Sequence, residues 1–181
     1  IAEAAVAHPY GVIESNDNNP TMQSNSNLSF TYNNPIHSIS SAEGYEEDVM
    51  GATMDAYLNG FEDPRRAVFF ALSSNGNYRG LRNGHKNGDI FKGDEGLSKP
   101  NIQQGTPYIW MTAAEVFFLR AEGALKQWDM KGTPEALYKS GIRASFEQHG
   151  VKNVENYLVS TKVPARYPGF KASPSAPAPS D

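Results

Sequence analysis

The sequence predicts a mostly α-helical fold, an αα-hairpin with long irregular loops. Three observations predict it. Residues 112–127 and 133–148 each carry a helix cap followed by an apolar stripe at helical spacing. A shorter amphipathic segment ends at Gly60. The stretches between are polar and rich in turn formers, with Gly, Pro, Asn and Ser making up 59 of the 181 residues.

Composition narrows the classes before any motif is read. The length suits one domain, or one and a fraction. The 39% apolar content is enough for a core, though below the roughly 45–50% of an average domain. A mean hydropathy of −0.55 and no run of 18 apolar residues exclude a helical membrane span. A net charge of −4 and a pI near 5.6 argue against binding nucleic acid through phosphate contacts. With no cysteine there is no disulfide scaffold, thiolate zinc site or cysteine nucleophile.

The elements follow in order. Ile1 to Ala7 has high helix propensity and stops before His8-Pro9, so it reads as the last turns of a helix cut from something longer. Residues 9–40 are expected to be loop, with Leu28–Tyr32 alternating like a short strand. Ser41 is placed as the N-cap of a helix running to Gly60. Glu43, Glu46, Glu47 and Asp48 load its first turns, and Tyr45, Val49, Met50, Thr53, Met54, Tyr57, Leu58 and Phe61 form its apolar face. Ala67–Leu72 is strand or buried helix, and the glycine-rich residues 73–107 are loop.

The strongest local signal comes next. Thr112 and Glu115 match a capping box, with Met111 placed to staple onto Val116. The stripe Ala113, Val116, Phe117, Ala121, Ala124, Leu125 and Trp128 is widened by Phe118, Leu119 and Gly123, so this helix should be buried on most sides. In the second helix Thr133 caps, Pro134 takes the first position and Gly150 the stop. Its inward face is Leu137, Tyr138, Gly141, Ile142, Ser145 and Phe146, and Gly141 makes sense where another backbone passes close. A third short helix begins near Asn153. The tail from Pro164, with five prolines, reads as extended or disordered.

Chemical motifs are sparse. No phosphate-binding loop, dinucleotide fingerprint, H-E-x-x-H or G-x-S-x-G occurs. His8, His37, His85 and His149 share no ligand spacing; His8 and His149 sit near helix C-termini, where the dipole favours a cation. Glu115 and Glu122 share a helix face, but a cap and a pairing of Glu122 with solvent or Arg120 explain them more simply. Asp89, Asp94 and Glu95 could hold a hard cation, without an EF-hand's spacing. Asn27-Leu28-Ser29 is a formal glycosylation triplet.

Aromatic and amide residues outside the helical stripes remain: Tyr10, Phe30, Tyr32, Tyr78, Phe91, Tyr108 and Trp110. Rings flanked by Asn, Asp and Arg suit sugars, which present an apolar C–H face and a belt of hydroxyls. The competing reading is that the rings anchor loops. On this chemistry the candidate ligand-binding residues are Tyr32, Asn33, Asn34, Tyr78, Arg82 and Trp110. No catalytic residue, metal or cofactor is predicted.

The run Trp110-Met111-Thr112-Ala113-Ala114-Glu115-Val116-Phe117-Phe118-Leu119-Arg120-Ala121-Glu122-Gly123-Ala124-Leu125, with Leu137–Glu147 and Gly150-Val151, closely resembles the SusD/RagB family of outer-membrane nutrient-binding lipoproteins of Bacteroidetes. Asp63-Pro64-Arg65 and Tyr78–Gly84 fit the same pattern, and the resemblance spans roughly residues 1–168. It implies a SusD-like helical fold built on tetratricopeptide-like hairpins, here partial, with 1–168 in one domain and 169–181 a tail. It further implies a non-enzymatic, lipid-anchored, cell-surface protein. Such a protein binds oligosaccharide, or peptide in RagB-like members, and serves a TonB-dependent transporter of the SusC type. The motifs carrying the resemblance are structural, so no ligand contact transfers with them. A helical-repeat interaction module without glycan affinity is the other class.

Overall fold

Two threonine hydroxyls open the two longest helices. In a computed structural model, which describes residues 1–26, 33–40, 48–81 and 96–165, Thr112 Oγ1 accepts from the Glu115 amide at 3.0 Å and Thr133 Oγ1 from the Ala136 amide at 3.2 Å. Each satisfies a donor the helix itself leaves unpaired. Numbered along the chain, the helices are α1 (Ala2–Val6), α2 (Pro35–Ser40), α3 (Ala52–Gly60), α4 (Arg66–Phe69), α5 (Ala113–Leu125), α6 (Pro134–Gln148) and α7 (Val154–Leu158). A 3-10 turn spans Asn16–Asn18, and strands β1 (Thr21–Met22) and β2 (Tyr108–Ile109) pair antiparallel. The chain divides into two compact units, Ile1–Glu47 with Ile102–Ser160 and Asp48–Asn101 with Thr161–Asp181.

In the first unit α5 and α6 form the expected hairpin and pack along their length. Ala113, Ala114 and Ala144 make one core cluster, and Ala121, Met130 and Leu137 a second. Alanine at these crossings lets the backbones approach closely. Phe146 is 1% exposed, and its ring lies 5.1 Å from that of Tyr157 on α7. α6 ends as predicted: Gly150 sits at φ +63°, its amide reaches the Glu147 carbonyl and the Val151 amide the Phe146 carbonyl, at 3.0 and 2.9 Å. That pair of bonds is a Schellman stop.

Three packing expectations need correction. A Cβ on Gly141 would lie 2.6 Å from the Phe118 ring, so the close neighbour is an aromatic side chain rather than a backbone. Leu125, Trp128 and Tyr138 are exposed by 72%, 46% and 57%, as are Phe118 and Leu119 in part. A single hairpin has two outer faces and covers neither, so α5 is not enclosed. Glu122 pairs with Lys126 at 2.7 Å and not with Arg120. Arg120 is buried; it donates from Nε to the Met130 carbonyl at 3.1 Å and from Nη1 to Glu14 Oε1 at 2.6 Å.

The second unit shortens one predicted helix. Residues 41–47 lie outside the described residues, and α3 starts only at Ala52, behind Gly51. Val49 and Met50 precede it outside any helix. The Met50 amide donates to the Ser98 carbonyl at 2.8 Å and its carbonyl accepts from Leu81 at 2.7 Å. Met50 is completely buried, and its bonds to these distant segments take the backbone groups that a helix would use. The face α3 buries is Asp55 and Leu58, while Met54 and Tyr57 are exposed. Asp55 turns inward because its carboxylate accepts from the Gly80 amide and the Asn59 side chain, both at 2.7 Å. The ambiguous Ala67–Leu72 run becomes one helical turn, α4, followed by a bridge from Phe70 to Pro100. The strand expected at Leu28–Tyr32 and the tail at 169–181 lie outside the described residues. Among the described residues, no helix is long and apolar enough to cross a membrane.

Candidate functional site

The β1–β2 ribbon was not anticipated, and it organises the aromatic residues that were. Its register pairs Met22 with Tyr108 and Thr21 with Ile109. The Trp110 amide donates to the Pro20 carbonyl at 2.9 Å, extending the pairing by one more step. Side chains directly opposite, and those two apart along a strand, share a face. One face of the ribbon therefore carries Pro20, Met22, Tyr108 and Trp110. Trp110 is 68% exposed and Met22 47%. The Tyr108 ring meets the indole edge-on, with centroids 5.7 Å apart, which restricts the exposed ring's orientation.

Asparagines hold this ribbon in place. Asn34 is 3% exposed. Its amide N–H donates to the Gln104 carbonyl and its Nδ2 to the Thr106 carbonyl, both at 2.8 Å, just before β2. Its Oδ1 accepts from the Ile36 amide at 2.9 Å and caps α2. On the other strand, Asn19 Oδ1 accepts from the Ala113 amide at 2.7 Å, tying the start of β1 to α5. Asn16 Nδ2 donates to the Ala144 carbonyl at 2.9 Å and so ties the 3-10 turn to α6. The amide-rich segments that read as loop are latches onto the hairpin.

The predicted site residues therefore separate. Trp110 is displayed to solvent. Asn34 is committed to internal hydrogen bonds, a correction to its reading as a ligand contact: its amide positions the chain entering β2. Asn33 is partly buried, and its Oδ1 has no partner among the described residues. Tyr78 belongs to the second unit, where the Arg66 guanidinium lies 5.2 Å from its ring centroid. Tyr32 and Arg82 lie outside the described residues, as do Asp89, Asp94, Glu95 and Asn27. Sequence reasoning missed Pro20 and Met22. The signal available was two turn-flanked, uncharged stretches, but nothing local says that they pair.

The titratable groups near the hairpin do structural work. Carboxylates of Glu122, Asp129 and Glu135 are held below their ordinary values by hydrogen bonds from Lys126, Lys131 and Lys139 respectively. His8 accepts from the Tyr10 amide through Nδ1 at 3.2 Å. No group of three potential metal ligands occurs among the described residues. A groove of about 330 Å³ lies against α5, lined by Val6, Ile13, Met111, Val116, Leu119 and Met130 among others. Its walls offer almost no polar group for a sugar hydroxyl.

The first unit is thus a helical hairpin with latched loops and a displayed aromatic ribbon. The comparisons with known proteins place the chain. The family model SusD-like, described as Susd and RagB outer membrane lipoprotein, matches residues 1–181, and the chain belongs to this family. No curated protein sequence matches it. A chitin-binding SusD homolog from Flavobacterium johnsoniae is 36% identical with a TM-score of 0.80, over 91% of this chain and 33% of its own. A SusD homolog from Bacteroides uniformis is 37% identical at TM-score 0.80, over 90% and 34%. One from Bacteroides vulgatus is 33% identical at 0.79, over 96% and 35%. The chain thus spans about a third of the length of these solved relatives. The fold expected from the hairpin motifs is the fold these neighbours share.

Proposed function

We propose that this chain is part of a non-enzymatic, lipid-anchored surface protein that binds oligosaccharide and delivers it to a TonB-dependent, SusC-like transporter. The observation that carries the reading is the display of Trp110 on a latched ribbon, braced edge-on by Tyr108, in a chain of the SusD-like family. An indole so held offers a flat apolar face to the C–H face of a pyranose. The chitin-binding relative supports a glycan as the ligand. Binding needs no reacting group, so no residue is assigned a catalytic role. Asn34 acts by positioning β2.

Isothermal titration of the full polypeptide against oligosaccharide and peptide panels tests the reading. Trp110→Ala is expected to weaken glycan binding about tenfold, which corresponds to about 1.4 kcal/mol, with the unfolding midpoint unchanged because the ring is exposed. Heat from peptides and none from any glycan would transfer the protein to the peptide-binding branch. Co-purification with the transporter and no affinity for either ligand would make it an interaction module.

A further inference from the structure

The two strands of the ribbon come from the two longest stretches of the chain without Asp, Glu, Lys or Arg. One runs from Asn18 to Ala42 and the other from Pro100 to Ala114. They are far apart in sequence, and the fold joins them: Thr21 with Ile109, Met22 with Tyr108, Asn34 with Gln104 and Thr106. Three of the four charged residues that bound these stretches are acidic, namely Asp17, Glu43 and Glu115; the fourth is Lys99. A carboxylate or sulfate bound from water needs Arg or Lys to replace its hydration, ideally as a charge-assisted pair. The strands supply none. Apart from His37, the polar side chains of the two stretches are amides and hydroxyls, which match neutral hydroxyls and N-acetyl groups.

Resting on the glycan-binding reading, we infer that the Pro20–Met22–Tyr108–Trp110 face of the ribbon selects uncharged glycans, hexose or N-acetylhexosamine oligomers, over those bearing uronate, sulfate or phosphate. The selectivity arises from what the two strands lack: among their described residues, an anionic sugar docked on Trp110 meets no Arg or Lys to replace the water it loses.

The test is titration of the full polypeptide with neutral hexasaccharides (β-1,4-glucan, chitin, α-glucan and mannan) and with acidic ones of equal length (polygalacturonate and chondroitin sulfate). At least one neutral oligomer is expected to bind, at least tenfold more tightly than either acidic one, and to weaken about tenfold in Trp110→Ala. In Met22→Lys, which puts a cation at a half-exposed position on the same face as Trp110, the neutral-over-acidic ratio is expected to fall severalfold. Acidic oligomers binding within threefold of the best neutral one would overturn the selectivity while leaving glycan binding intact. So would a ratio unmoved by Met22→Lys. Silence from every glycan would instead remove the functional reading and the selectivity with it.

Discussion

Gly141 and Phe118 show how one residue's tolerance is decided by a neighbour. In isolation, glycine in the middle of α6 costs about 1 kcal/mol against alanine, so Gly141→Ala would be expected to stabilise. The structure reverses the sign, because the new methyl would lie 2.6 Å from Cε1 of Phe118 and displacing a packed ring costs roughly 1–3 kcal/mol. Gly141→Ala should lower stability by about 1 kcal/mol net. In a Phe118→Ala background the same substitution should stabilise by up to about 1 kcal/mol. Denaturant unfolding of the four proteins in this cycle measures it; additive effects would show that the ring and the glycine do not interact. Asn34 teaches the same lesson from the polar side. Its residue type suits a sugar contact or a latch equally well, and its 3% exposure and bonds to Gln104 and Thr106 decide for the latch.

The ends of α5 and α6 are the most local of the features and are legible in the sequence to within two residues. Thr112, Thr133, Pro134 and Gly150 act as their spacing predicts, because a cap depends on three or four consecutive residues and on no distant partner. Thr133→Ala should cost about 1 kcal/mol, read from the urea midpoint, whereas Thr133→Ser should cost much less. A second element-scale prediction concerns the tie between α6 and α7. Hydrogen bonds from Arg143 hold the Glu155 carboxyl below its ordinary value. A carboxyl whose folded pKa is depressed adds stability above its unfolded pKa, about 4.3, and loses that contribution as pH falls through the lower folded value. Acid unfolding followed from pH 6 to 2 should therefore be shallower in Glu155→Gln. The difference is small at neutral pH, because both side chains are exposed. α3 was read less well. Its apolar spacing continued through Val49 and Met50, but the Met50 backbone is claimed by Ser98 and Leu81.

Across the first unit, Arg120 connects what the chain order separates. Its guanidinium joins α5 to Glu14 in the stretch between α1 and the 3-10 turn, and to the Met130 carbonyl in the hairpin loop. Arg120→Met preserves much of the volume but leaves that buried carbonyl without its donor, a loss of roughly 1–3 kcal/mol. Amide hydrogen exchange should show faster opening at 129–131 as well as a lower global midpoint. Unchanged exchange there would mean that the arginine is packing only. The exposure of Leu119, Leu125 and Tyr138 belongs to this scale too: helical periodicity marks a face as apolar but does not say whether anything covers it.

The sequence by itself determined the helical class, the caps and stops of α5 and α6, and the motifs that tie the chain to its family, because each is written in residues within a turn or two of one another. Tertiary structure alone decided that Thr21–Met22 meets Tyr108–Ile109, that Asn16, Asn19 and Asn34 fasten loops, and that Trp110 faces outward. Those outcomes join residues scores of positions apart through backbone hydrogen bonds. Such bonds are open to almost any residue, so they leave little mark on composition or spacing.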